Sequence, residues 1–192
     1  DTVYASHSEE NTVGTTMGAV AALDGTQRGE IKKPIWQSYE IMAGRASPLV
    51  VDGKLWIVDD RAKLYMLDPA TGRQLGKKAL GTGMRSTPIA ADGKVFACTA
   101  SGRWYILKPN GNNVQIVHRL NLNGEANDGS PVIAEGRIYL PTSDAIYCMG
   151  SGKAPQVDPL PPGPEENPLE KNPEPKLLQL APYDALLKPG ES

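Results

Sequence analysis

Residues 47–72 read Ser47-Pro48-Leu49-Val50-Val51-Asp52-Gly53-Lys54-Leu55-Trp56-Ile57-Val58-Asp59-Asp60-Arg61-Ala62-Lys63-Leu64-Tyr65-Met66-Leu67-Asp68-Pro69-Ala70-Thr71-Gly72, and the same markers recur downstream. Ser47-Pro48 returns as Thr87-Pro88 and Ser130-Pro131, and Asp52-Gly53 returns as Asp92-Gly93 and Glu135-Gly136. An apolar-aromatic-apolar triplet follows each of these turns: Leu55-Trp56-Ile57, Val95-Phe96-Ala97 and Ile138-Tyr139-Leu140, with an earlier copy at Val3-Tyr4-Ala5. A closing marker reads Leu23-Asp24-Gly25-Thr26, then Leu67-Asp68-Pro69-Ala70-Thr71-Gly72, then Leu107-Lys108-Pro109-Asn110-Gly111. Several markers moving together at a period of about 40 residues identify stacked or circular repeats.

Within the quoted unit, Ser47 to Val51, Lys54 to Asp59, Lys63 to Leu67 and Arg73 to Ala79 have the length and composition of strands. Asp52-Gly53 is a tight-hairpin dipeptide, and the spacing leaves no room for helices. Four antiparallel strands per period is the size of a β-propeller blade. The proline suits the first residue of an inner strand, where a missing amide donor is harmless. The third unit runs from Thr87 to His118 and the fourth from Ser130 to about Met149. The first lacks an inner strand, starts at Thr2-Val3-Tyr4, carries an insertion around Glu9 to Met17, resumes at Gly18 and ends with Pro34 to Gln37. The expected fold is therefore all-β: an incomplete β-propeller of about three and a half four-stranded antiparallel blades over residues 1–150. Such an open row exposes two apolar sheet faces, which further blades of a longer parent chain, or a second copy, would cover.

Ten of the 17 prolines fall in residues 151–192, together with seven Asp and Glu against four Lys. Residues 151–176 read as an extended, solvated Pro-rich linker, and the more apolar 177–192 as an edge strand or the start of a following domain. Across all 192 residues the formal net charge is −2, with 40% hydrophobic and 22% charged residues, which gives no electrostatic reason to expect a nucleic-acid partner. No apolar run is long enough for a transmembrane helix. Cys98 and Cys148, 50 residues apart in strand-like runs, lack metal-ligand or thioredoxin spacing and read as buried hydrophobes. The start at Asp1 suggests a removed leader or a cut point.

These repeats resemble those of the pyrroloquinoline quinone (PQQ) type β-propellers. The resemblance rests on Ser47-Pro48, Asp52-Gly53, Trp56, Tyr65-Met66-Leu67-Asp68 and Thr71-Gly72, echoed at Thr87-Pro88, Gly93, Phe96 and Tyr105-Ile106-Leu107, and at Ser130-Pro131, Gly136, Tyr139 and Tyr147. It covers residues 2 to 150. Family members usually place a docking tryptophan after the Thr-Gly closure; here only Trp36 can play that part, with Gly76 and Val117 near the corresponding places. The resemblance implies an exported protein, periplasmic, cell-surface or secreted. It spans quinoprotein alcohol dehydrogenases, which use PQQ and calcium, and noncatalytic assembly scaffolds, so fold does not fix function.

Two groups of site candidates emerge. Arg45, Arg85 and Asp128 stand two places before each Ser/Thr-Pro, in loops expected to converge on the axis, where guanidinium groups can fork onto a carboxylate or phosphate. Glu125, Asn127 and Asp128 are oxygen ligands of the kind calcium takes, although with Gly124 and Gly129 beside them they read first as a polar turn. The vicinal cysteine pair of the resembling dehydrogenases is absent. His7 and His118 have no evident catalytic partner, and Trp56, Phe96 and Tyr139 read as core between blades. The expected function is a noncatalytic interaction or scaffold module that presents axial loops to a protein, glycan or small anionic ligand. The alternative is a set of blades from a PQQ-dependent alcohol dehydrogenase.

Overall fold

A computed structural model of the chain describes residues 1–13 and 15–150, with the side chains of 9–13 left aside. The linker and following segment expected at 151–176 and 177–192 lie outside the described residues. Among the described residues, fourteen strands form four antiparallel sheets, each built from strands consecutive in sequence. The first sheet holds β1 (Thr2–Val13), β2 (Thr16–Asp24) and β3 (Trp36–Tyr39). The second holds β4 (Leu49–Val51), β5 (Lys54–Val58), β6 (Lys63–Leu67) and β7 (Gln74–Ala79). The third holds β8 (Ile89–Ala91), β9 (Lys94–Cys98), β10 (Arg103–Asn110) and β11 (Asn113–Asn121). The fourth holds β12 (Val132–Ala134), β13 (Arg137–Pro141) and β14 (Ile146–Met149). There is no helix among the described residues, and the arrangement is the expected incomplete propeller.

The repeat markers occupy equivalent places. Asp52-Gly53, Asp92-Gly93 and Glu135-Gly136 all have positive φ at both residues, 48–49° at the first and 64–69° at the second. That is the conformation whose twist matches a two-residue hairpin. The aromatic residues share one register: Leu49 opposes Trp56 and Trp56 opposes Met66, as Ile89, Phe96 and Ile106 do, and Val132, Tyr139 and Cys148.

Burial explains why β5 is apolar throughout. Leu55, Trp56, Ile57 and Val58 are all buried because neighbouring sheets cover both faces. Leu55 and Ile57 pack with Val20, Ile41, Tyr65 and Leu67 toward the first sheet. Trp56 and Val58 pack with Val95, Ala97, Tyr105 and Leu107 toward the third. Phe96, Cys98 and Trp104 continue the series against Leu140. The outer faces of the row have no such cover among the described residues: Val3 and Ile35 are 52% and 54% exposed at one end, Val132 and Ile146 57% and 73% at the other.

One expectation needs correcting. The stretch Glu9 to Met17 is not an insertion between strands but the far end of one long hairpin, with Thr12 opposite Met17 and Val13 opposite Thr16. A register shift between His7 and Thr12 hides the alternation that would have announced it. As expected, the first sheet lacks an inner strand.

Candidate functional site

Loops leading into the inner strands bring the predicted charges to one end of the row. Each joins two blades through the same pair of backbone hydrogen bonds. Ala43 N–H donates to His7 of the first blade (3.3 Å), while Met42 C=O accepts from Asp60 of the second (2.8 Å). One period on, Met84 N–H donates to Asp60 C=O (3.1 Å) and Gly83 accepts from Ala100 N–H (2.9 Å). In the next loop, Asn127 N–H donates to Ala100 C=O (3.2 Å) and Ala126 accepts from Ser143 N–H (2.9 Å). Ser8 Oγ adds a hydrogen bond from the first blade to Asp60 Oδ2.

The Ser/Thr of each marker also has a structural task. Ser47 N–H donates to Thr87 Oγ1 (3.0 Å), and Thr87 N–H donates to Ser130 Oγ (2.8 Å). The hydroxyls of Thr87 and Ser130 accept the amide hydrogen of the preceding blade's marker, and the following proline, having no N–H, needs no acceptor.

Of the three charged positions on these loops, Arg85 Nη1 reaches Asp128 at 3.0 Å and 3.2 Å to the two carboxylate oxygens, across adjacent blades. Both are exposed, so the pair is a weak tie rather than a source of stability. Arg45 is exposed and has no polar side-chain partner among the described residues. A cavity of about 160 Å³ opens beside Asp128, walled by Ala126, Gly129, Pro141, Thr142 and Ser143.

The Glu125, Asn127 and Asp128 group sits in the same loop, but the side chains are engaged separately. Thr142 Oγ1 donates to Glu125 Oε2 (2.5 Å) and the Tyr147 hydroxyl donates to Oε1. That hydrogen bond raises the Tyr147 phenol above its ordinary pKa and keeps it the donor. Asn127 is buried and gives its amide hydrogens to the carbonyls of Gly129 (3.0 Å) and Pro141 (2.6 Å), leaving Oδ1 buried and unpartnered. Ala43 and Met84 fill the corresponding places in the two earlier loops, so Asn127 is the polar member of an otherwise apolar set. No three His, Cys, Asp or Glu side chains among the described residues gather where they could hold a metal ion.

Thr142 and Tyr147 escaped the sequence reading of this site. Tyr65, Tyr105 and Tyr147 share one register, and each hydroxyl is pinned, to Asp59, Leu80 and Glu125 respectively. That recurring tyrosine was the available signal.

Comparison with known proteins agrees with this architecture. No curated protein matches the sequence. The structure of BamB from Moraxella catarrhalis is similar with a TM-score of 0.54 at 18% identity, over 66% of this chain and 43% of that one, so the chain spans less than half of that relative's length. Quinohemoprotein alcohol dehydrogenases are more distant: that of Comamonas testosteroni matches with a TM-score of 0.43 at 18% identity, over 52% of this chain and 17% of its own. ADHIIG of Pseudomonas putida HK5 matches at 0.44 and 20%, over 52% and 16%. The family model described as outer membrane protein assembly factor BamB matches residues 16–160. With the repeats, the four sheets and that match in agreement, the chain belongs to the PQQ_2 family of propeller-repeat proteins.

Proposed function

We infer that this chain is a noncatalytic interaction module of an exported β-propeller, whose axial loops engage a partner protein. The observation that carries the reading is the loop set itself: Arg45 and the Arg85–Asp128 pair stand on loops tied to both flanking blades. Charges held this way meet a partner with little ordering cost. The same guanidinium groups suit carboxylates of an acidic glycan or a small anion, with Asp128 as the built-in competitor for Arg85. The family's description as an assembly factor supports a protein partner and a periplasmic, cell-surface or secreted location.

Further blades of the parent chain would cover the two open faces; a second copy is the other way to cover them. Ser130 N–H and Ser47 Oγ, the ends of the hydroxyl series, have no partner among the described residues, and an additional Ser/Thr-Pro blade would supply one to each. Residues 151–176 then act as a tether to whatever 177–192 begins.

A dehydrogenase-type alternative would require PQQ and calcium, the latter at Glu125, Asn127 and Asp128. As they stand, these residues do not fit a cation: Asp128 would have to leave Arg85, and Glu125 to leave Thr142 and Tyr147.

The test compares the parent protein with its Arg45→Glu/Arg85→Glu variant. Co-purification with the outer-membrane assembly machinery should fall about tenfold or more, while a Lys33→Glu variant co-purifies as before. Unchanged co-purification of the double variant, or dye-linked alcohol oxidation by the parent after addition of PQQ and calcium, would overturn the reading.

A further inference from the structure

The outer edge of the third blade carries a second cationic feature, unrelated to the axial loops. In β10 and β11, Arg103 opposes Asn121 and Tyr105 opposes Arg119. Paired residues share a face, so the two arginines are diagonal neighbours on one face, about 7–8 Å apart at the backbone. With Leu120 and Asn121 they line a cavity of about 250 Å³.

Like Arg45, both arginines lack an internal counter-charge among the described residues, and here two such groups line one cavity. Three cations elsewhere among the described residues are paired: Lys54 and Lys94 with the carboxylates of their own turns, Arg85 with Asp128. No carboxylate reaches Arg103 or Arg119 among the described residues. The repeat supplies an internal control. In the second blade the same register positions hold Lys63 with Ala79 and Tyr65 with Lys77. There the Lys77 ammonium lies 4.6 Å over the Tyr65 ring, and alanine replaces the amide of Asn121. In the third blade Tyr105 is held by its hydrogen bond to Leu80 C=O, and Arg119 makes no such ring contact. Its fork faces the cavity that Arg103 and Asn121 share.

We propose that Arg103, Arg119 and Asn121 form a binding site for a phosphate monoester dianion. Two guanidinium forks and one amide offer more donors than a single carboxylate can accept, whereas the three terminal oxygens of a phosphate monoester can accept from all three groups at once. The ligand is either a soluble phosphate ester or the headgroup of a phosphomonoester lipid; the chemistry at the site is shared.

Titration of the protein with phenyl phosphate, followed by amide NMR shifts at Leu120 and Asn121, tests the site. Saturable binding should weaken about tenfold in Arg103→Gln and in Arg119→Gln, and stay unchanged in Arg73→Gln. Sedimentation with vesicles of phosphatidylcholine with and without phosphatidic acid separates the sources. Arginine-dependent capture by the acidic vesicles assigns the headgroup, and binding of phenyl phosphate alone assigns a soluble ester. Shifts that fail to saturate at millimolar ligand, or equal weakening in all three variants, would refute the site and leave the axial reading untouched.

Discussion

The junction between the first and second blades and the junction between the second and third solve one packing problem in opposite ways. At the first, Trp36 projects from β3 onto the 68–72 loop. Its indole N–H donates to Pro69 C=O (2.8 Å), Tyr4 adds a second donor to the same oxygen (3.2 Å), and the ring lies where a side chain on Gly72 would be. At the second, the register position of Trp36 belongs to Gly76, opposite Met66 as Trp36 is opposite Ala22. No ring is present; the backbone of the β10–β11 turn moves in, and a Cβ on Gly76 would lie 2.1 Å from Asn112 C=O. One junction uses an aromatic wedge over a glycine in the next blade. The other puts the glycine in the strand itself and lets the neighbour's main chain approach. Loss of the family's tryptophan at the second junction therefore leaves no gap.

This difference can be broken at either end. Gly76→Ala should cost the most, about 1–3 kcal/mol, because the methyl meets Asn112 C=O and the Met66 methyl at 2.7 Å, and at least one of these contacts is main chain. Urea unfolding reads the loss directly, and a midpoint equal to wild type would show that the second junction is not close-packed at this point. Trp36→Phe keeps a smaller aromatic ring at the junction and removes the donor with part of the indole's volume over Gly72. Since Pro69 C=O retains Tyr4, the hydrogen bond's share of the loss should be about 1 kcal/mol, the net worth of an ordinary hydrogen bond. A larger drop would mean that the indole's shape, rather than its N–H, holds the first junction.

Much of this was legible in the sequence because it depends on period and on local turn chemistry. Asp52-Gly53 and its two copies announce their own backbone conformation, and Trp56, Phe96 and Tyr139 fall in one register because the markers keep step. Partners one blade away were not legible. Ser47 and Thr87 are visible as a repeat, but that the hydroxyl of one receives the amide of the other is a contact across 40 residues. Likewise Arg45, Arg85 and Asp128 read as equivalent positions, and only the folded chain shows Arg85 and Asp128 joined while Arg45 stands apart. Long-range pairing of charges depends on which loops are brought together, and local composition carries no trace of it.

The covered and open faces of the last two blades give the smallest effect and a test of a different kind. Cys98 is buried, as its strand-like context predicts, where Phe96, Trp104 and Leu140 meet; Cys148, expected to be buried too, is exposed, because it lies opposite Tyr139 on the uncovered side of β14. Burial pushes the Cys98 thiol up from its ordinary 9.0 to about 12. The folded state thus resists ionisation that the unfolded chain accepts, and the sign follows: stability is unaffected below about 9 and declines as pH rises from there toward about 12. Cys98→Ala should remove that alkaline decline from the urea midpoint, and Cys148→Ala should leave it in place. In the native protein at pH 8 a disulfide reagent should titrate Cys148 and reach Cys98 only after denaturant is added. Equal reactivity of both thiols in the native protein would mean that the third and fourth sheets part readily, and that the fourth blade depends on whatever covers its open face.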